Sequence, residues 1–252
     1  YRGSVSGAEN YYKKISGQIN GAKNFNLLDQ EKIKWNQFLT YVENNGNESQ
    51  KIALDSLLSI TSDIDNDSLN NRYYGGSTLL GTASTIYRLA YEKTKPNKDR
   101  ELGYQERDYE RLVNRMRSLE YRFDKDVDKG IFLFNLNKYR DIDQNDRRLN
   151  YSKTLKLGSS FDVTKLVVDE MYSFPSSLLN LNKRIDMLDM SLDDLNKSND
   201  PFIKLAREIF DENMELEKFN KARSSSLQKN KAIYIKALRE FYKSQNKDIY
   251  AD

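Results

Sequence analysis

The scarcity of helix-breaking residues is the feature that most constrains the fold of this chain. Its 252 residues include only 3 prolines and 11 glycines. Proline cannot continue a hydrogen-bonded helix, and glycine weakens one. No segment keeps up the apolar–polar alternation of a half-buried strand. The sequence therefore predicts an all-α fold, a multi-helix array of long antiparallel helices, and its length suits one large domain or two small ones.

Apolar residues that recur at steps of three and four define the individual helices. The predicted helices cover residues 8–43, 50–64, 68–94, 104–122, 125–141, 162–172, 176–189, 191–197 and 201–244. A break in the last one near the three serines 224–226 is left open. The polar segment 142–160 is expected to be an irregular loop or a hinge between helical layers, where amide hydrogens should exchange faster than in residues 79–90.

The absence of histidine and cysteine excludes several kinds of chemistry from this chain. A Ser-His-Asp triad cannot be built from its residues alone. Neither thiol catalysis nor a zinc site with cysteine ligands is available. We therefore expect no cofactor, no metal and no catalytic residue within the chain itself.

Charge and hydropathy limit the partners of the chain. It carries 41 Lys and Arg against 38 Asp and Glu, a net charge of +3. Its basic clusters are short and neighbour acidic residues, whereas a nucleic-acid interface needs a basic stripe. No run of eighteen apolar residues is present, so no membrane-spanning helix is expected. We predict that neither nucleic acid nor a membrane is a partner.

A cluster of acidic residues superficially resembles a calcium-binding loop. Asp124, Asp126 and Asp128 are followed by Gly130. In such a loop the glycine is the sixth residue, and here it is the seventh. The favoured interpretation is a helix start, with acidic side chains near the positive end of the helix.

Charged pairs between residues 95 and 108 allow two interpretations. The pairs Lys95/Lys98, Asp99/Arg100 and Arg107/Asp108 could form an anion site. A solvated network of ion pairs around a loop is the favoured alternative, because acidic residues are interleaved with these side chains.

The first predicted helix carries an unusual line of small residues. At steps of four and three, one face presents Gly3, Gly7, Asn10, Lys14, Gly17 and Gly21. Each interior glycine costs a helix about 1 kcal/mol relative to alanine. The line is typical either of tight helix–helix packing or of a cleft wall that presents Asn10 to a ligand. The pattern alone favours packing.

Several strings along the chain resemble one family. They are Asn10-Tyr11-Tyr12-Lys13 with Gly17 and Gly21, Gly81-Thr82-Ala83, the stretch 95–108, Asp200-Pro201, Leu205-Ala206, and Tyr234 with Ala237-Leu238. They resemble the bacterial periplasmic dipeptidyl-peptidases of the seven and eleven type, a serine-peptidase family. The stretch 95–108, from Lys95-Pro96-Asn97 to Glu106-Arg107-Asp108, is the most specific of these strings.

The resemblance implies a fold, partners and a location. In that family a chymotrypsin-like double β-barrel carries the His-Asp-Ser triad, and a helical domain inserted in the barrel sequence caps the active-site cleft. Residues 1–252 would be that single helical cap domain, without the catalytic barrels. Its partners would be a peptide substrate and the barrel domain of the same parent chain, and the resemblance leaves room for a homodimer. The expected location is the periplasm.

The resemblance also implies a substrate-binding residue. The family's helical domain is expected to supply an asparagine for the substrate's α-amino group, and Asn10 is the best match. An amide oxygen accepts a hydrogen bond from an ammonium group, which fits this role. The alternative function is a non-enzymatic all-α scaffold or adaptor that binds a partner helix through the glycine face.

Overall fold

The computed structural model describes residues 12–21, 23 and 26–247. Within these ranges the regular secondary structure consists of helices, with no strand. The predicted all-α fold class is therefore confirmed. Residues 12–21 are helical. The later α-helices are α1 (Leu27–Asn45), α2 (Glu48–Tyr73), α3 (Thr78–Lys93), α4 (Tyr109–Arg122), α5 (Lys125–Tyr139), α6 (Leu149–Thr154), α7 (Phe161–Ser173), α8 (Leu181–Asp186), α9 (Leu192–Asn196), α10 (Pro201–Glu208) and α11 (Phe210–Ser244).

The chain divides into two compact units. One consists of residues 1–62 with 223–252, and the other of residues 63–222. The boundaries between the units fall inside α2 and α11. None of the helices in the described part of the chain is long and apolar enough to span a membrane.

The first unit has a small aromatic core. Phe38 and Val42 of α1 pack with Leu54 of α2 and with Ala237 and Phe241 of α11. The rings of Phe38 and Phe241 lie edge to face with centroids 5.6 Å apart. Such pairs contribute about 0.5–1.5 kcal/mol beyond their buried area.

The second unit is built around α3. Four apolar residues at steps of three and four along this helix are buried, with at most 3% of each exposed: Leu79, Ala83, Ile86 and Ala90. This apolar stripe follows the spacing that predicts a helical face. The stripe belongs to the main core of the unit, which also contains α10. Asp200 caps α10 through the backbone N–H groups of residues 202 and 203, as the Asp-Pro pair predicts.

Two predicted helices are wrong because residues in the left-handed region interrupt them. Asn26, at φ 50°, ends the helix predicted over 8–43, and α1 starts after it. Gly75 and Gly76, at φ 77° and 82°, separate α2 from α3 within the predicted 68–94 helix. Asparagine and glycine tolerate this conformation, which a continuous α-helix cannot contain.

The helix predicted over residues 201–244 is interrupted, but not at the serines where a break was left open. α11 runs unbroken through the serines 224–226, whereas the helix predicted from residue 201 is interrupted at Ile209, between α10 and α11. Each serine costs a helix only a few tenths of a kcal/mol relative to alanine. This cost is smaller than that of breaking a long helix.

The prediction of an irregular 142–160 segment is wrong for part of it. Residues 149–154 form α6. Tyr151, Leu155 and Leu157 are buried in the core of the second unit, with at most 1% exposure. The segment packs on the core through these three side chains. Its mostly polar composition gives no indication of this contact. The hinge itself stays a prediction.

Some apolar residues that recur at helical spacing are exposed. Ile52 and Ile64 of α2 are 58% and 39% exposed, and the buried side chains are Ala53, Leu54 and Ile60. On α5 the buried face contains Phe132, Leu136 and Tyr139, while Val127, Ile131 and Phe134 face outward. Both helices have apolar residues on more than one face, so spacing alone does not select the inner one.

A buried carboxylate holds the start of α3. Asp128 of α5, 4% exposed, accepts hydrogen bonds from Thr78 N–H at 2.6 Å and Leu79 N–H at 3.4 Å. It also accepts from the hydroxyls of Ser77, at 3.0 Å, and Tyr172, at 2.7 Å. Asp124 meanwhile caps its own helix, α5. The helix-start interpretation of the acidic cluster is confirmed for Asp124, whereas Asp128 caps a different helix.

We predict that Asp128→Ala lowers the free energy of unfolding by about 3 kcal/mol, because buried donors lose their acceptor. Asp126→Ala is the matched control, since Asp126 is exposed on the same helix, and its cost should stay below about 1 kcal/mol. Urea unfolding followed by circular dichroism gives both values. Equal losses in the two variants would contradict the capping role.

Candidate functional site

The predicted amine-binding residue, Asn10, lies outside the described residues. In the region predicted to form its helix, residues 12–21 are described and are helical. A Cβ atom added at Gly17 or Gly21 would meet no described atom within 4 Å. Packing against the described part of the chain therefore does not account for these two glycines, and the choice between packing and a cleft wall stays a prediction.

The charged stretch 95–108 folds around a buried glutamate at the end of α3. Glu92 is 0% exposed and lies 2.8 Å from Arg88 Nε and 3.0 Å from Lys95 Nζ. The backbone N–H of Glu101 donates to the same carboxylate at 3.0 Å. The ion-pair interpretation is thus confirmed for Lys95, whose ammonium group is bound within the protein.

Short-range hydrogen bonds shape the rest of this loop. Asn97 Oδ1 accepts from Glu106 N–H at 2.9 Å, and Asp108 Oδ2 accepts from Gly103 N–H at 3.0 Å. Gly103 has a φ of 96°, a conformation that favours glycine. Asp108 also forms a capping box with Gln105. The loop is therefore a rigid lead into α4.

Ion pairs also join this loop to α11. Lys221 Nζ lies 2.6 Å from Glu101 and 2.7 Å from Glu217. Arg88 completes the network, 3.3 Å from Glu217. The hydrogen bond from Lys221 is the main reason that the pKa of Glu101 lies below its ordinary value.

A buried arginine fixes α4. Arg184 of α8 is 2% exposed and donates to the backbone carbonyl of Met116 on α4, with Nη2 at 2.9 Å. The same guanidinium donates to the Leu178 carbonyl at 2.6 Å and lies 2.7 Å from the Glu120 carboxylate. A buried guanidinium is tolerated only when its donors are satisfied, so these contacts define the position of α4.

A cavity of about 590 Å³ lies between the first turns of α3 and the second half of α4. We call it the α3–α4 cavity, and its lining residues are Gly76, Ser77, Thr78, Gly81, Thr82, Arg115, Ser118, Leu119, Arg122 and Phe123. Arg115, Ser118 and Arg122 are spaced by three and four residues, so they share one face of α4. Sequence reasoning missed this site, although that spacing was visible in the printed sequence.

A second concave surface, of about 420 Å³, belongs to the first unit. It is mostly apolar and is lined by Trp35, Leu54, Leu57, Leu58, Thr61, Leu227, Lys231 and Tyr234. Within the described ranges no group of three acidic side chains is placed to hold a metal ion.

Glu92 should make the free energy of unfolding depend on pH in the acidic range. Burial opposes its ionisation, yet the Glu101 N–H, Lys95 and Arg88 together lower the pKa of Glu92 below its ordinary 4.5. Because the pKa of Glu92 is lower in the folded state, its ionised form stabilises the fold. That stabilisation is complete at pH values above the unfolded-state pKa and is lost as the pH falls through the folded-state pKa.

We therefore predict that the free energy of unfolding falls less for Glu92→Gln than for the unchanged protein between about pH 5 and pH 3. Near pH 7 the substitution should cost about 2–3 kcal/mol, because it weakens a buried charged network. Glu110→Gln, at an exposed position of α4, is the control and should follow the unchanged protein. Denaturant titrations at each pH test this, and parallel curves for the protein and Glu92→Gln would contradict it.

The chain is similar to known peptidases over its whole length. A family model described as peptidase S46 matches residues 1–252. A curated relative, the Asp/Glu-specific dipeptidyl-peptidase of Shewanella putrefaciens (strain CN-32 / ATCC BAA-453), is 30% identical over 258 residues. The alignment covers 100% of this chain and 34% of the relative, so the chain spans about a third of that protein's length. The chain belongs to the peptidase S46 family.

Proposed function

We propose that this chain is the α-helical cap domain of a periplasmic serine dipeptidyl-peptidase, an enzyme that removes dipeptides from the N-terminus of peptides. The cap covers the active-site cleft and helps to bind the substrate's free α-amino group. The observation that supports this most directly is the alignment to a curated dipeptidyl-peptidase. It covers 100% of this chain but only 34% of that relative.

The composition supports a division of labour within the parent protein. A serine peptidase of the triad type needs a histidine as general base, and this chain contains none. The residues that make and break bonds must then lie in a catalytic domain elsewhere in the parent chain. What this chain contributes is a helical surface that can place and enclose a peptide.

The family membership favours this function over the scaffold or adaptor alternative. The described glycines are compatible with it as well, because no described atom lies within 4 Å of a Cβ added at Gly17 or Gly21. The relative is named for Asp/Glu specificity. Acidic peptides are therefore the substrates on which the parent protein should first be assayed.

We predict that this chain alone hydrolyses no dipeptidyl substrate, because it contains neither histidine nor cysteine to form an activated nucleophile. The measurement is release of aminocoumarin from dipeptidyl substrates by the purified chain beside the full-length parent. Turnover by the chain that serine-directed inhibitors abolish would contradict the division of labour.

We predict that Asn10→Ala in the full-length parent lowers kcat/KM for free-amine peptides about tenfold to a hundredfold. The substitution removes an acceptor for a charged donor, a bond that contributes about 1.5–3 kcal/mol. Alanine is a better helix former than asparagine, so the fold should persist.

Asn20→Ala is the matched control, since Asn20 belongs to the same predicted helix, 8–43, and lies off the glycine line. N-acetylated peptides provide the second comparison, because they lack the ammonium group. Unchanged efficiency of Asn10→Ala on free-amine peptides would show that Asn10 does not bind the amine.

A further inference from the structure

We propose that the α3–α4 cavity is a binding site for a phosphate group, held by Arg115 and Arg122. The group is carried either by free inorganic phosphate or by a small phosphate ester. All residues that line the cavity belong to the second unit. The site is separate from the proposed peptide-binding role and does not depend on it.

The arginines of α4 fall into two groups. Arg111 donates to a backbone carbonyl of the preceding loop, and Arg117 donates to Asn114 Oδ1 at 3.1 Å. The guanidinium groups of Arg115 and Arg122 make no hydrogen bond or ion pair with any residue that the structure describes. Both of these residues are exposed, and both line the cavity. Two cations without a described partner are thus gathered at one concave surface, open to a ligand from solvent.

The charge of the cavity favours a dianion. Its lining contains two arginines and no acidic residue, which gives a formal charge of +2. A phosphate group carries a charge of about −1.5 to −2 near pH 7 and three strong acceptor oxygens, so it can balance both cations. A carboxylate carries a single charge, which one guanidinium already matches. A phosphate group is therefore the better partner for the pair.

The spacing of the two arginines allows them to share one ligand. They are seven residues apart, about two turns and 10 Å along the helix axis, so both project from the same face of α4. Arginine has a long side chain with several rotatable bonds and a planar fork of donors that suits phosphate oxygens. The two guanidinium groups can therefore converge on a phosphate group that lies between them.

Other polar groups of the cavity are already engaged within the protein. The hydroxyl groups of Thr82 and Ser118 donate to backbone carbonyl oxygens of their own helices. The N–H of Thr78, in the first turn of α3, donates to Asp128. An incoming anion therefore depends on the two arginines, which makes their substitution a sensitive test.

The acidic side chain bound to the cavity wall does not compete with the ligand. Asp128 accepts hydrogen bonds from Ser77, Tyr172 and the N–H groups of Thr78 and Leu79. An ionised carboxylate offers about four acceptor positions, so these donors use its capacity. None of the four donors is an arginine, and the cations of α4 stay available to an anion from solution.

The cavity has room for a phosphate group and for a small molecule that carries it. Its volume of about 590 Å³ falls within the range of ordinary ligand sites, about 300–1,000 Å³. A Cβ atom added at Gly81 would meet nothing within 4 Å, so the α3 wall leaves the space unfilled. Leu119 and Phe123 offer apolar surface to the carbon atoms of an ester.

Isothermal titration calorimetry on the full-length parent protein tests the site with inorganic phosphate as the probe. A fixed ionic strength keeps general charge screening constant. The variants are Arg115→Gln and Arg122→Gln, each alone and combined. Arg117→Gln is the matched control, because it removes the same charge from the same helix outside the cavity. Gly81→Leu is an independent variant, since it fills the cavity and keeps both arginines.

The unchanged parent protein should bind phosphate, and each single arginine variant should weaken the affinity about tenfold, as expected for a lost hydrogen bond to a charged group. The double variant should weaken it further, whereas Arg117→Gln should bind as the unchanged protein does. Gly81→Leu should also weaken binding, because its side chain occupies the space of the ligand. A parent protein that binds no phosphate, or an affinity that the double variant or Gly81→Leu leaves unchanged, would overturn the site.

Two further probes identify the source and the chemistry of the ligand. Glycerol 3-phosphate that binds more tightly than inorganic phosphate supports a phosphate ester as the ligand, and equal or weaker binding supports free phosphate. Acetate is the carboxylate control. Acetate that binds as tightly as phosphate through the same arginines would contradict a phosphate site, because the cavity would then not select for the second charge.

Discussion

The buried carboxylate of Asp128 is the interaction on which the second unit most depends. It lies on α5, yet it accepts hydrogen bonds at the start of α3 and from Tyr172 of α7. A helix start that is removed from water needs acceptors for its free N–H groups. Asp128 accepts from the N–H groups of Thr78 and Leu79 and joins three helices, so the central helix of the core has a fixed position at this end.

The other end of α3 is held in a similar way. Glu92 is fully buried, and Arg88, Lys95 and the Glu101 N–H surround it. A buried charge is stable only when it is paired and hydrogen-bonded, so the chain after α3 must fold closely around it. The stretch 95–108, which carries the most specific family resemblance, is therefore structural where it meets Glu92.

These two anchors account for the α3–α4 cavity. Asp128 fixes the first turns of α3, which form one wall, and Arg184 fixes α4, which forms the other. The arginines that face the cavity are left without a described partner, while those next to them on α4 are engaged.

The sequence by itself determined the all-α class, the buried stripe of α3 and the cap of α10, because each follows from local spacing or from adjacent residues. It also showed that triad chemistry is excluded from the chain. Only the tertiary structure decided which face of α5 is buried, that Tyr151 enters the core, and that Arg115 and Arg122 share a cavity. Those outcomes depend on contacts between residues far apart in sequence, which helical periodicity does not encode.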